Sequence, residues 1–346
     1  MELVSVIITT YGGGSKLSRA VRSALEQDYD NLEVIVVDDN DPNTSARKKT
    51  ESVMSEFKSN SKVKYIKHEK NSNGAAARNT GFAAAEGEYI SLLDDDDYYL
   101  SSRIKNAVDF LNSSHEFIGV CYGVVCVNKS TVLNVIRHND NEELTTEKLL
   151  INQNSIGSGS NIFVRKSAIL ETNGFDESFN RFQDIEFMIR VLKFGRIAYQ
   201  NDINIVKEES LNRVQVYKKV RDSLMHFISK FDMDINSLSD DDKKSFYSDR
   251  YRYLYALAKL GGNRSEIVKA QKELKMHSEL TRREKYETKY PMIVALYWKL
   301  RMICFNSFAS KLFMRIKMKR LQSQSDLLEK QIPKDVMLQI DKFSRQ

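Results

Sequence analysis

The chain has 346 residues, 41% hydrophobic and 29% charged, with 14 glycines and 3 prolines. That is material for a buried core in about two structural regions, and it excludes collagen-like, low-complexity and disordered classes. The net charge of +6 has one source: Thr288 to Ser325 holds no acid and eight bases, and +6 less eight leaves −2 for the rest.

Cys121, Cys126 and Cys304 are odd in number and form no CxxC pair. This argues against a disulfide framework or a cysteine zinc site and fits a reducing compartment. The opening "MELVSVIITTY" lacks the basic region of a secretory signal, and no apolar run reaches the roughly 18 residues of a membrane span. A cytoplasmic protein is expected.

In chain order, "LVSVIITTY" is a β-branched run that reads as a buried strand. "KLSRAVRSALEQ" spaces Leu17, Val21, Ala24 and Leu25 as a helix does. "LEVIVVDDN" is a second strand ending in acid, "SARKKTESVMSEFKS" a helix and "VKYIKHE" a short strand. "GAAARNTGFAAAEG" is a small-residue helix, and "EYISLL" is the next strand, running into Asp94–Asp97. Repeated strand–helix–strand units predict an α/β fold with a mostly parallel central sheet and flanking helices. Ligands of such sheets sit beyond the carboxyl ends of the strands, so Tyr11, Asp38–Asp39 and Asp94–Asp97 should converge on one crevice. "VCYGVVCVNKSTVLNVI" reads as an antiparallel pair, "GSGSNIFVRKSAIL" as a loop, strand and helix, and a further helix starts near Asp184. Beyond about residue 212 the pattern becomes long helices, which divides the chain into a domain over 1–212 and a helical region over 213–346.

Each polar motif has two readings. The four aspartates suit a hard divalent cation that keeps positions for phosphates, or they form a solvated loop with Asp97 capping the next helix. Gly12–Gly14 match neither GxxxxGK[ST] nor GxGxxG, so they read as a flexible turn, and a dinucleotide oxidoreductase is excluded. Tyr11 can stack on a base. Asp38 or Asp39 can accept from a base N–H or a ribose hydroxyl, or simply cap a turn. Arg78, alone among small residues, can meet a phosphate or make a surface ion pair. Asp184 is a general base or a helix cap, and Glu186 faces elsewhere.

Taken together, "VSVIITTY", "LEVIVVDDN", "NGAAARNTGFAAAEGEYISLLDDDDYYL", "GSGSNIFVRKSAI" and "GFDESFNRFQDIEFMIRV" resemble the family 2 inverting glycosyltransferases of GT-A (Rossmann-like) fold, over roughly residues 3 to 210. The resemblance implies a UDP-sugar donor and a Mn²⁺ or Mg²⁺ cofactor. Thr10 and Tyr11 match the strand end that holds uracil, Asp39 the carboxylate that reads its N–H, and Asp38 is its competitor. Arg78 matches a position near base and diphosphate, and Asp95 the ribose side. Asp96 matches the metal-binding acid of a DxD-type motif, with Asp94 as its other acid. Asp184 matches the catalytic base, and Gly157 to Asn161 the loop lining the sugar and acceptor pocket. Two positions depart from the family pattern: Gly12, where asparagine is common, and Gln183, where glutamate often precedes the base. A cation among the aspartates would relieve their mutual repulsion. The expected activity is transfer of a hexose-type sugar to a lipid-linked saccharide acceptor in cell-surface polysaccharide synthesis. The alternative is a non-catalytic nucleotide-sugar-binding protein of the same fold.

The basic window, about 289–320, places Lys311, Arg315 and Lys319 on one helix face beside Leu312, Phe313 and Ile316. It reads as an amphipathic segment lying on the cytoplasmic membrane surface, or as a packed helix with a solvated basic face. No nucleic-acid-binding module accompanies the charge, so no nucleic-acid partner is expected.

Overall fold

The structure, a computed structural model, describes residues 1–12, 14, 16–129, 131–140, 142–152, 155–209, 216–290, 294, 296–297 and 324–344. The chain forms two compact units. The first comprises Met1–Leu149, Gln153–Leu211 and Ser323–Gln346, and the second Leu150–Asn152 and Asn212–Gln322.

The first unit follows the expected alternation. Strand β1 (Val4–Thr10) leads to helix α1 (Leu17–Leu25), β2 (Leu32–Asp38), α2 (Ser45–Met54), β3 (Val63–Lys67), α3 (Gly74–Ala84) and β4 (Tyr89–Asp94). Then come β5 (Tyr98–Tyr99), α4 (Arg103–Ser113), β6 (Phe117–Asn128), β7 (Thr131–Ile136), β8 (Glu143–Leu144), α5 (Thr146–Ile151), β9 (Phe163–Arg165), α6 (Lys166–Thr172), α7 (Gln183–Val191) and β10 (Arg196–Glu208). The sheet runs β3-β2-β1-β4-β9-β6-β10-β5, with β7 on β6 and β8 on β10. The sheet is mixed, but the parallel ladders β3-β2-β1-β4 and β6-β10 carry most of the paired residues. Strands β6 and β7 form the antiparallel pair read from the sequence.

Strands β1 and β2 are rich in Val and Ile and buried almost throughout, because both sheet faces are covered. On one face Val6, Ile8, Val34 and Val36 pack with Leu17, Val21 and Ala24 of α1. Helix α3 is built of small residues so that it can lie close to β1: the Ile7 side chain leaves no room for a Cβ on Gly81. That proximity carries Arg78 to the sheet's carboxyl edge.

A second apolar cluster joins Tyr98, Val125, Val127 and Val206 to Val336, Ile340 and Phe343 of the helix Lys334–Ser344. The Tyr98 and Phe343 rings are 5.1 Å apart, and Gln339 Oε1 accepts from the Ser101 N–H at 2.9 Å. Whereas the sequence grouped 213–346 as one helical region, this terminal helix packs on the sheet of the first unit. The second unit is helical: Tyr217–Lys230, Asp232–Asn236, Asp240–Gly261, Arg264–His277 and Arg282–Lys289. Its core includes Leu224, Phe227, Phe246, Leu254, Ile267 and Leu274, and a Thr281–Glu284 capping box starts the helix Arg282–Lys289. Among the described residues, no helix is long and apolar enough to cross a membrane. The basic residues Lys311, Arg315 and Lys319, with Leu312, Phe313 and Ile316, lie outside the described residues.

Candidate active site

Parallel register aligns three strand ends. Thr10 pairs with Asp38 across β1 and β2, and Thr9 pairs with Asp94 across β1 and β4. Tyr11 follows directly, its ring 65% exposed. Gly12 has φ +90, a conformation glycine adopts at little cost, and its N–H donates to Asn40 Oδ1 at 2.7 Å. The turn is more than flexible. A Cβ on Gly14 would lie 2.5 Å from Asp95 Oδ2, so glycine is what admits the Asp95 carboxylate.

Asp38 and Asp39 separate cleanly. Asp38 is fully buried. It forms an ion pair with Arg47 (Nε at 3.0 Å) and accepts from the Tyr65 hydroxyl at 2.6 Å and from Asn40 Nδ2 at 2.7 Å. Burial first, then the bond to Asp38, pushes the Tyr65 phenol up. Asp39 meets loop partners instead: His68 Nδ1 at 2.8 Å, the Ser72 N–H at 2.8 Å and Asn71 Nδ2 at 2.9 Å. Asp38 is thus bound into the fold, whereas Asp39 is held by the segment that leads into α3.

Three of the four consecutive aspartates turn their carboxylates to separate protein partners, and Asp96 offers its backbone carbonyl. Asp94 Oδ1 pairs with Arg78 Nη2 at 2.8 Å. Asp95 Oδ2 accepts from the Thr10 hydroxyl. The Asp96 carbonyl accepts from Arg19 Nη2 at 2.8 Å, and Arg19 Nη1 pairs with Glu208 at 2.9 Å. Asp97 is 2% exposed and accepts from Ser158 Oγ at 2.8 Å and Ser160 Oγ at 2.7 Å. It is therefore neither a solvated loop residue nor the cap of α4, whose N-cap is Ser102. Only the serines in "GSGS" hinted at this partner.

Arg78 links the acidic turn to α7. Its Nη1 donates to Gln183 Oε1 at 2.8 Å, and its guanidinium lies 5.3 Å from the centre of the Phe175 ring. Asp184 follows Gln183 in the first turn of α7, where its Oδ1 accepts from the Ile185 N–H at 2.9 Å. Phe182 enters the helix at φ +60, an uncommon conformation for a bulky residue and one that surrounding structure must impose. A Cβ on Gly159 would lie 3.7 Å from Asp94 Oδ2, 3.8 Å from Arg78 Nη2 and 3.8 Å from Asp184 Cβ. The loop, the acidic turn, α3 and α7 thus meet at one point. Glu186, by contrast, is fully buried and forks onto Arg190 at 2.8 Å.

Burial raises Asp95 to about 7; the Thr10 bond opposes this, and the charges of Asp96 and Asp94 add to it. A raised carboxylate stabilises the fold below the unfolded value, and that contribution is lost as pH rises through the folded value. The melting temperature of Asp95→Asn relative to wild type should therefore climb between about pH 4 and pH 7 and level off above. A flat difference would mean that Asp95 titrates normally.

Among the described residues, no group of three or more His, Cys, Asp or Glu side chains could by itself hold a metal ion. A Mg²⁺-type ion bound beside phosphates needs only one or two carboxylates, and Asp94 and Asp96, both partly buried, are hard oxygen donors of that kind. The donor chemistry fits.

A mixed α/β sheet with flanking helices and acidic strand ends, facing a carboxylate at a helix start, is a GT-A-like fold. The family profile for glycosyl transferase family 2 matches residues 5–172. An uncharacterized glycosyltransferase of Rickettsia felis is 24% identical over 301 residues, 85% of this chain and 48% of that protein. The Escherichia coli UDP-Glc:alpha-D-GlcNAc-diphosphoundecaprenol beta-1,3-glucosyltransferase WfaP is 36% identical over 117 residues, 34% of this chain and 44% of that protein. The chain thus spans less than half the length of these two relatives. The crystal structure of S. aureus TarS 1-349 in complex with UDP has the same fold, with TM-score 0.51 and 20% identity, covering 79% of this chain and 88% of that one.

Proposed function

We propose that the protein is an inverting glycosyltransferase moving a hexose-type sugar from a UDP-sugar to a hydroxyl of a lipid-linked saccharide, at the cytoplasmic face of the membrane. The observation that carries this is the meeting of Asp94, Arg78, Gly159 and Asp184 beside the strand ends of Tyr11 and Asp39. UDP in the TarS complex and the lipid-linked acceptor named for WfaP support donor and acceptor class. The basic window at 289–320 supports the membrane surface.

Tyr11 stacks on uracil, and Asp39 accepts from its N–H. Thr10 and Asp95 face the ribose. Arg78 lies on the diphosphate side. Asp94 and Asp96 would hold Mn²⁺ or Mg²⁺, which supplies charge neutralisation to the leaving diphosphate. Asp184 takes the proton of the acceptor hydroxyl as its oxygen bonds to C1. The C1–O bond breaks on the opposite face, and its electron pair leaves with UDP, so the configuration inverts.

Thermal shift with a panel of UDP-sugars, with Mn²⁺ and with chelator, tests the donor side. A rise in melting temperature with UDP-sugar and Mn²⁺, lost in chelator, is expected. UDP release on adding a saccharide acceptor tests transfer. Binding without any release, across donors and acceptors, would leave a sugar-nucleotide-binding protein.

A further inference from the structure

Asp97 is a buried carboxylate that this chemistry leaves unused. Its Oδ2 accepts from Ser158 Oγ (2.8 Å) and Ser160 Oγ (2.7 Å), and its Oδ1 from the Glu208 N–H (3.1 Å). Ser158 and Ser160 are 5% and 0% exposed, so water does not compete for these bonds. Ser160 extends the link, because its Oγ also accepts from the Asp94 N–H at 3.0 Å. The Asp97 N–H closes the acidic turn onto the Asp94 carbonyl at 3.1 Å.

The far end of the loop is anchored separately. Asn161 Nδ2 donates to the Tyr122 and Ile156 carbonyls, and its Oδ1 accepts from the Tyr122 N–H. The near end is Gly157-Ser158-Gly159, chain with little stiffness of its own. Besides Asp97, it is held by Lys207 Nζ on the Gly157 carbonyl at 3.1 Å. Gly159 is the residue that borders Arg78, Asp94 and Asp184.

We propose that Asp97 is a positioning residue: through Ser158 and Ser160 it ties the Gly157–Asn161 loop to the acidic turn, so that a diphosphate seated at the turn also orders the loop beside Asp184. This rests on the glycosyl-transfer reading above. Asp97 touches neither donor nor acceptor; it sets where the loop stands. Binding at the turn and geometry at the reacting carbon are therefore separable in variants.

The test uses UDP with Mn²⁺ as probe on the full chain. Amide hydrogen exchange is followed in the loop for wild type, Ser158→Ala, the Ser158→Ala/Ser160→Ala pair and Asp97→Asn. In wild type, UDP should slow exchange across the loop. In the serine pair the loop should stay fast, and the UDP dissociation constant should rise by no more than the factor by which UDP slows loop exchange in wild type, because ordering and affinity report one coupling. UDP release from the preferred UDP-sugar should fall about 10²-fold in kcat, the scale of a small misplacement of reacting groups. Ser158→Ala keeps two of the three bonds to Asp97 and should fall between, which keeps the test open if Asp97→Asn does not fold. Equal slowing by UDP in wild type and the serine pair would overturn the proposal. So would a loss of UDP affinity matching the loss in kcat, which is what general loosening of the fold produces. Wild type that binds no UDP would overturn the underlying functional reading, and it would show this before any variant is compared.

Discussion

Asp184→Asn is expected to lower kcat by about 10²–10⁴-fold, the usual contribution of a general base, while leaving UDP affinity intact. Asparagine keeps the Oδ1 that accepts from the Ile185 N–H, so the start of α7 survives the change. What disappears is the capacity to take a proton. The control lies two residues on: Glu186→Gln disturbs a buried ion pair with Arg190 and should lower the melting temperature more than Asp184→Asn does. Steady-state UDP release, with calorimetry of UDP binding, checks both. If Asp184→Asn retains wild-type kcat, another group removes the proton. If the folded variant loses UDP affinity, Asp184 serves the donor instead.

Asp38→Ala should cost about 3–5 kcal/mol of stability, a fall of about 10 °C in melting temperature for a domain of this size. The change strands the Arg47 guanidinium, the Tyr65 hydroxyl and the Asn40 amide, all turned toward the missing carboxylate. Arg47 also donates to the carbonyls of Asn40 and His68, so its charge cannot leave without undoing the turn that follows β2. Asp39→Asn should behave oppositely. It keeps an acceptor for the Ser72 N–H or Asn71, lowers the melting temperature less, and weakens UDP binding. Thermal denaturation and UDP titration of the two variants side by side distinguish scaffold from reader. Equal melting temperatures would show that the buried pair contributes nothing to stability.

The neighbouring pair Asp38–Asp39 shows how far the sequence reaches. Both aspartates end a strand whose apolar run is unmistakable, so the crevice was legible. Which one points inward depends on Arg47 and Tyr65, which lie on other elements, and no local pattern encodes that meeting. The same holds for the sheet. Strands β1 to β4 and their helices follow from β-branched runs and 3.6-residue spacing, because each connection is short. The insertion of β9 between β4 and β6, and the pairing of β10 with β6, join distant segments with no periodic mark. Buried charge was the least visible feature. Arg103, at the start of α4, is fully buried and donates to the Asn161 carbonyl at 3.0 Å. Its guanidinium lies within 6 Å of the centres of the Tyr99, Tyr122 and Phe163 rings. The place of the acidic run at a strand end was legible, but the separate partners of the Asp94, Asp95 and Asp97 carboxylates lie on α3, β1 and the 157–161 loop, which no local pattern encodes.

The helix Lys334–Ser344 lies against the strand edge that begins at Tyr98. Synthesis proceeds from the amino end, so Tyr98, Val125, Val127 and Val206 emerge long before Val336, Ile340 and Phe343 can cover them. The nascent first unit waits with an oily face bare until this helix has been made, a stage at which chaperone contact is most useful. Cutting the gene short to remove the basic stretch would strip this cover as well. Excising residues 291–322 from within, with the terminal helix retained, is the cleaner way to ask what that stretch does.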